Sequence, residues 1–152
     1  MQVTRAGEYA IMGLVYMARQ PEGRMVMVDE ISEAEGISRS FLAKIFQSLA
    51  RRGFVRSHRG AKGGFSLAKP PGEINLLEIL NCVEGAFALQ KCVTTHPACV
   101  VPASRLGSCP LCAVFNEAQS RVNEVLSRTS LADLLQNKSP VTGSVRSPVT
   151  IP

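Results

Sequence analysis

The chain has 152 residues, 45% of them hydrophobic, with 17 Lys and Arg against 12 Asp and Glu. That length suits a single domain of roughly 100–200 residues and is enough to bury a core. No run of about 18 apolar residues is present, which excludes a membrane-spanning helix, and the opening Met-Gln-Val-Thr-Arg-Ala-Gly-Glu lacks the basic-then-apolar order of a signal peptide. A cytosolic chain is expected.

The formal net charge is only +5, but its distribution is uneven. Residues 39–69 hold eight basic residues (Arg39, Lys44, Arg51, Arg52, Arg56, Arg59, Lys62, Lys69) and no acid, a surplus of +8, while the remainder is at −3. One or two of the arginines could serve solubility alone. A 31-residue stretch without a single carboxylate reads better as the footprint of a polyanion, most often nucleic acid.

In chain order, residues 6–19 read as an amphipathic helix, with Ala10, Ile11, Leu14, Val15 and Ala18 at helical spacing. Gln20-Pro21-Glu22-Gly23 ends it. The apolar run 25–28 reads as a short strand. Asp29 is expected to cap a second helix through Glu35, and Gly36 to supply the left-handed exit. Ser38 is expected to cap a third helix over 39–52, with Leu42, Ile45, Phe46 and Leu49 facing inward and Ser40, Ala43, Lys44, Gln47 and Arg51 facing out. Two short helices joined by a tight glycine turn form a helix-turn-helix signal. Residues 54–58 and 65–69 read as strands around Arg59-Gly60-Ala61-Lys62-Gly63-Gly64, a hairpin with a charged, glycine-rich tip. Helix, turn, helix and basic hairpin is the order of a winged helix-turn-helix.

Beyond Pro70-Pro71-Gly72, Asn75 is expected to cap a helix over 76–84. Residues 88–109 read as an irregular loop, followed by a long helix from Pro110 to about Ser127, with proline at its favoured first position. Val114, Ala118, Val122, Val125 and Leu126 form an apolar stripe along it. A small domain does not cover so long a stripe by itself, so pairing with a second copy is expected. Leu131, Leu134 and Leu135 mark a last short helix, and residues 137–152 read as a disordered tail. The expected class is mainly α. A winged helix-turn-helix DNA-binding domain spans 1–73, helix, cysteine loop and dimerisation helix span 74–136, and the tail follows.

In a helix-turn-helix the second helix enters the major groove. Ser38, Arg39, Ser40, Lys44, Gln47 and Arg51 are therefore the candidate DNA contacts on it, with Arg59 and Lys62 reaching a minor groove from the hairpin tip. The expected partner is double-stranded operator DNA.

Of the five cysteines, Cys92, Cys99, Cys109 and Cys112 fall within 21 residues. Four thiolates satisfy a tetrahedral zinc or the irons of a cluster. Only Cys109-x2-Cys112 has the close pairing usual for zinc, and a loop that wraps a larger object suits an iron–sulfur cluster. Lys91, Thr94 and His96 leave the neighbourhood polar, which favours a labile, sensing group over a buried electron carrier. His96 reads better as a loop residue than a ligand, and Cys82 as a small core residue beside Ile79 and Val83. A zinc-bound regulator, a thiol switch forming disulfides and a small iron–sulfur redox protein remain the rivals. No nucleophile–base pair, paired carboxylates or phosphate loop suggests an enzyme.

The segments Tyr9-Ala10, Ile37-Ser38-Arg39-Ser40-Phe41-Leu42, Arg59-Gly60-Ala61-Lys62-Gly63-Gly64-Phe65 and Cys92…Cys99…Cys109 resemble the Rrf2 family of bacterial transcription regulators over about residues 1–136. The resemblance implies a homodimer crossed by the long helix, a palindromic operator, and a [2Fe–2S] or [4Fe–4S] cluster that tunes DNA affinity. It matches Cys92, Cys99 and Cys109 to the family's three-cysteine loop. For the fourth ligand, cluster-assembly regulators have a histidine where this chain has Cys112, and other members use an acidic residue early in the partner's first helix, the place of Glu8. Cys112 is preferred, then Glu8. The resemblance implies a response to cluster supply, iron, nitric oxide or redox state, and the expected role is that of a repressor. Ala43 and Lys44 depart from the family pattern, so no operator sequence carries over.

Overall fold

The computed structural model describes residues 3–60, 63–86, 88–89 and 110–136. Most of the expected cysteine loop, Lys62 and the expected tail lie outside the described residues. Helix α1 (Arg5–Ala18) is capped by Thr4, whose hydroxyl accepts from the Gly7 amide. Ala10, Leu14 and Met17 form its buried face. Helix α2 (Val28–Glu35) begins two residues earlier than the sequence suggests. Its N-cap is Met27, whose amide donates to the Glu30 carboxylate at 3.0 Å. Asp29 therefore stands inside the first turn rather than at the cap, where a negative charge still meets the positive end of the helix. Gly36 leaves α2 with φ 65°, the left-handed conformation expected of it.

The turn into helix α3 (Arg39–Arg51) is locked by a reciprocal pair. The Ser32 hydroxyl donates to the Ile37 carbonyl at 2.6 Å, and the Ile37 amide donates to the Ser32 carbonyl at 3.1 Å. Leu42, Ile45, Phe46 and Leu49 are buried, as their spacing predicts. Strands β1 (Val55–His58) and β2 (Gly64–Leu67) pair antiparallel, from Val55 opposite Leu67 to His58 opposite Gly64. The strand expected at 25–28 reduces to one residue: Val26 exchanges two 2.8 Å hydrogen bonds with Phe65, and α2 starts too soon afterwards for the ladder to continue.

A 3-10 turn (Pro71–Glu73) leads into helix α4 (Leu76–Glu84), capped by Asn75, whose side chain accepts from the Glu78 amide. Helix α5 (Pro110–Arg128) and the short helix α6 (Leu131–Leu135) complete the described chain. Asn75 and Ser130 form an isolated bridge, and the Leu131 amide donates to the Ile74 carbonyl at 2.9 Å, so the far end of α5 is tied back to the start of α4. The resulting core is continuous. Leu14, Ile31, Phe46, Val55, Ile79 and Leu131 all belong to it, so it runs from the helix-turn-helix through the hairpin base to α4 and α6. No described helix is long and apolar enough to cross a membrane.

Candidate nucleic-acid interface and cysteine region

The outer face of α3 presents Ser40, Lys44, Gln47 and Arg51, all exposed. None of Lys44, Arg51 or Arg59 enters an ion pair among the described residues. The buried side of the same helix is packed into the core, so these side chains stand on a rigid platform. Ser38 occupies the N-cap position but makes no side-chain cap; its hydroxyl lies 3.1 Å from that of Ser40. Arg39 differs from the other cations because its Nε lies 2.5 Å from the Asp29 carboxylate, joining α2 to the start of α3. The pair is exposed on both sides, a setting in which such bridges contribute little to stability. Its consequence is electrostatic: one of the eight cations is already partnered. Phe41 was not among the candidate contacts, and its half-exposed ring meets Tyr9 of α1 edge-on at 5.9 Å, bracing α1 against the head of α3.

Two contacts stiffen the hairpin. His58 Nε2 lies 2.8 Å from the Ser66 hydroxyl. At Gly64 the chain passes so close to Val26 that an added Cβ would lie 2.5 Å from the Val26 carbonyl oxygen; only glycine permits the Val26–Phe65 bridge here. Arg59 is exposed at the tip, which places it beyond the paired residues. Lys62 lies outside the described residues.

Of the candidate ligands, Cys92, Cys99 and Cys109 lie outside the described residues. Cys112 is half-buried on the first turn of α5, and Glu8 is exposed on the first turn of α1. Among the described residues no group of three His, Cys, Asp or Glu side chains stands together. The donor chemistry nevertheless fits a soft-metal group: four thiols, one fixed on a helix and three in the segment just before it.

Three connections around this segment were not legible in the sequence. Gln119, buried on α5, accepts from the Leu89 amide at 2.6 Å and donates to Asn123 at 2.7 Å. Glu84, the last residue of α4, accepts from the Thr4 amide at 2.9 Å and the Thr4 hydroxyl at 3.1 Å. The Cys82 thiol donates to the Ser48 carbonyl of α3 at 3.6 Å. Burial pushes that thiol's pKa up, and the nearby Arg52 guanidinium offsets part of the rise. A glutamine within an apolar stripe was the one available signal, at 119; the other two need the fold.

The arrangement is shared with solved regulators. Similar folds are the global cysteine regulator CymR of B. subtilis (23% identity, 90% of this chain and 98% of that one, TM-score 0.72), and the oxidized form of Staphylococcus aureus CymR (25% identity, 90% and 97%, TM-score 0.67). A third is IscR of T. potens (25% identity, 90% and 88%, TM-score 0.68). The family profile described as Rrf2, iron-dependent transcriptional regulator, matches residues 3–137. With that profile over most of its length and a winged helix-turn-helix fold, the chain belongs to the Rrf2 family of transcription regulators.

Proposed function

We propose that the chain is a homodimeric repressor that reads a palindromic operator with Ser38, Arg39, Ser40, Lys44, Gln47 and Arg51 of α3 and with Arg59 and Lys62 of the wing. We further propose that the thiols of Cys92, Cys99, Cys109 and Cys112 hold an iron–sulfur cluster through which redox state, iron or nitric oxide sets operator affinity. Glu8 of a partner copy is the alternative fourth ligand.

The observation that carries the DNA reading is the acid-free, exposed face of α3 beside the hairpin. Lys44 and Arg51 suit guanine edges or phosphates, and Gln47 suits adenine. A basic hairpin tip suits a minor groove. A bound cluster supplies one-electron redox chemistry and a reactivity toward oxidants that the protein alone lacks. The chain's own part is positional. Gln119 fastens the segment before Cys92 to α5, Cys112 sits on α5, and Cys82 joins α4 to α3. Two dimer geometries that differ in wing spacing would then differ in operator affinity.

The test is a DNA titration at fixed salt. Gln47→Ala is expected to lose about 1–3 kcal/mol of discrimination at one base pair. Arg59→Ala is expected to weaken all sequences together and to lower the salt slope by about one. An unchanged affinity in both variants refutes the assignment.

A second reading rests on the likeness to Staphylococcus aureus CymR, whose solved form is described as oxidized. In that reading the four thiols act as a disulfide switch without a cluster. Thiol counting after oxidation and re-reduction of colourless, iron-free protein, followed by DNA binding, separates the two.

A further inference from the structure

At the base of the wing lies a cleft of about 440 Å³ that none of the candidate DNA contacts lines. Small-molecule sites run from about 300 to 1,000 Å³. Its walls are the loop 20–24 after α1, residues 67–71 where the chain leaves β2, and Arg56 of β1. Met17 and Leu67 supply apolar lining.

The charge in this cleft is unbalanced. Arg24, Arg56 and Lys69 line it, against Glu22 alone. Arg24 is engaged, with Glu30 at 2.8 Å and with Gln20. Arg56 and Lys69 enter no ion pair among the described residues. The Lys69 ammonium lies over the Phe54 ring, 6.0 Å from its centroid, a contact that modestly favours this position. Three prolines in the walls, Pro21, Pro70 and Pro71, fix their backbone φ, which keeps the ordering cost of binding low.

Two uncompensated cations beside an apolar lining recognise an oxyanion carried on a small apolar body. DNA is a poor occupant, because the cleft sits at the Val55–Leu67 end of the hairpin while the tip lies beyond His58 and Gly64. We propose that this cleft binds a small organic anion, a carboxylate or phosphate on a short apolar body, and that its occupancy adjusts the wing. The link to the wing is direct: the cleft is built on Leu67 and Arg56 of its two strands.

Phenyl phosphate is the probe, titrated into the isotope-labelled full-length protein, with inorganic phosphate as the oxyanion alone and cyclohexanol as the apolar body alone. Saturable amide shifts are expected at Gly23 and Ala68, strongest for phenyl phosphate. Arg56→Ala and Lys69→Ala should each weaken binding about tenfold, the scale of one charge-assisted hydrogen bond. Glu22→Gln, which removes the opposing charge, should tighten it. An absence of saturable shifts, or binding that neither cation variant changes, overturns the proposal. If both cation variants instead weaken DNA binding and its salt dependence while phenyl phosphate gives no shift, the cations serve backbone phosphates and the proposal fails.

Discussion

Cys82 and Arg39 show how far single residues can be understood from their neighbours. Cys82 packs against the core and donates to the Ser48 carbonyl, and burial raises its pKa. The unfolded chain therefore releases this proton at lower pH than the folded one. The contribution to stability is complete below the ordinary thiol pKa and falls as pH rises above it. In the native protein the Cys82 peptide is expected to be alkylated much more slowly at pH 8 than the same peptide in urea, read by mass spectrometry. Equal rates would show that its burial has no chemical consequence. The apolar neighbours at helical spacing pointed to Cys82 as a core residue, and the fold places it half-buried against the core rather than within it. The role expected of Asp29 did not follow the sequence pattern. A carboxylate just before an apolar run looks like a cap, but its distance to Arg39 is set by the angle between α2 and α3, which no local pattern encodes.

At the scale of elements, periodicity carried most of the information. The inward residues of α1, α3 and α4 recur at helical spacing because each helix has one face on a shared core, and their boundaries fall within a residue or two of expectation. The strand expected at 25–28 failed because an apolar run of four is compatible with several structures; the closeness of Phe65 decides that only Val26 pairs. The wing depends on that pairing. Gly64→Ala places a Cβ against the Val26 carbonyl. It is expected to destabilise the protein by about 1–3 kcal/mol, with lost amide protection at Val26 and Phe65 in hydrogen exchange; unaltered protection would refute the close approach. On α5, Leu111, Val114 and Val125 are 64%, 65% and 42% exposed, apolar surface on a helix whose polar side carries the Arg121–Glu117 and Arg128–Glu124 pairs. If this stripe is the dimer seam proposed for the chain, Val114→Asp yields a folded monomer in sedimentation and loses operator binding with the Lys44 face intact. A dimer of unchanged affinity would place the seam elsewhere.

For the whole molecule, the uneven charge of the sequence and its cysteine cluster become two ends of one object. The described part of the +8 stretch maps onto α3, the wing and the cleft at its base, and the described part of the cysteine region maps onto α5. Between them stands α4, joined to α3 through Cys82, to α1 through Glu84, and followed by Leu89, which Gln119 of α5 holds. Motif order made the DNA-reading half legible, because helix-turn-helix and hairpin are local patterns laid end to end. The connections through α4 were not legible, since each pairs residues 30 or more positions apart. The same is true of the ligand set: spacing nominates four thiols but leaves the choice between cluster, zinc and disulfide to chemistry. The most direct measurement is anaerobic purification with absorbance, iron and sulfide analysis, followed by titration of the chain's own promoter DNA with the protein before and after iron removal. A coloured protein with iron and sulfide, whose promoter affinity shifts about tenfold or more on iron removal, a coupling of the size usual between linked sites, is the expected result. A colourless, zinc-bearing protein, or one whose promoter affinity ignores iron removal, would contradict the proposed link between the thiols and the DNA-reading face.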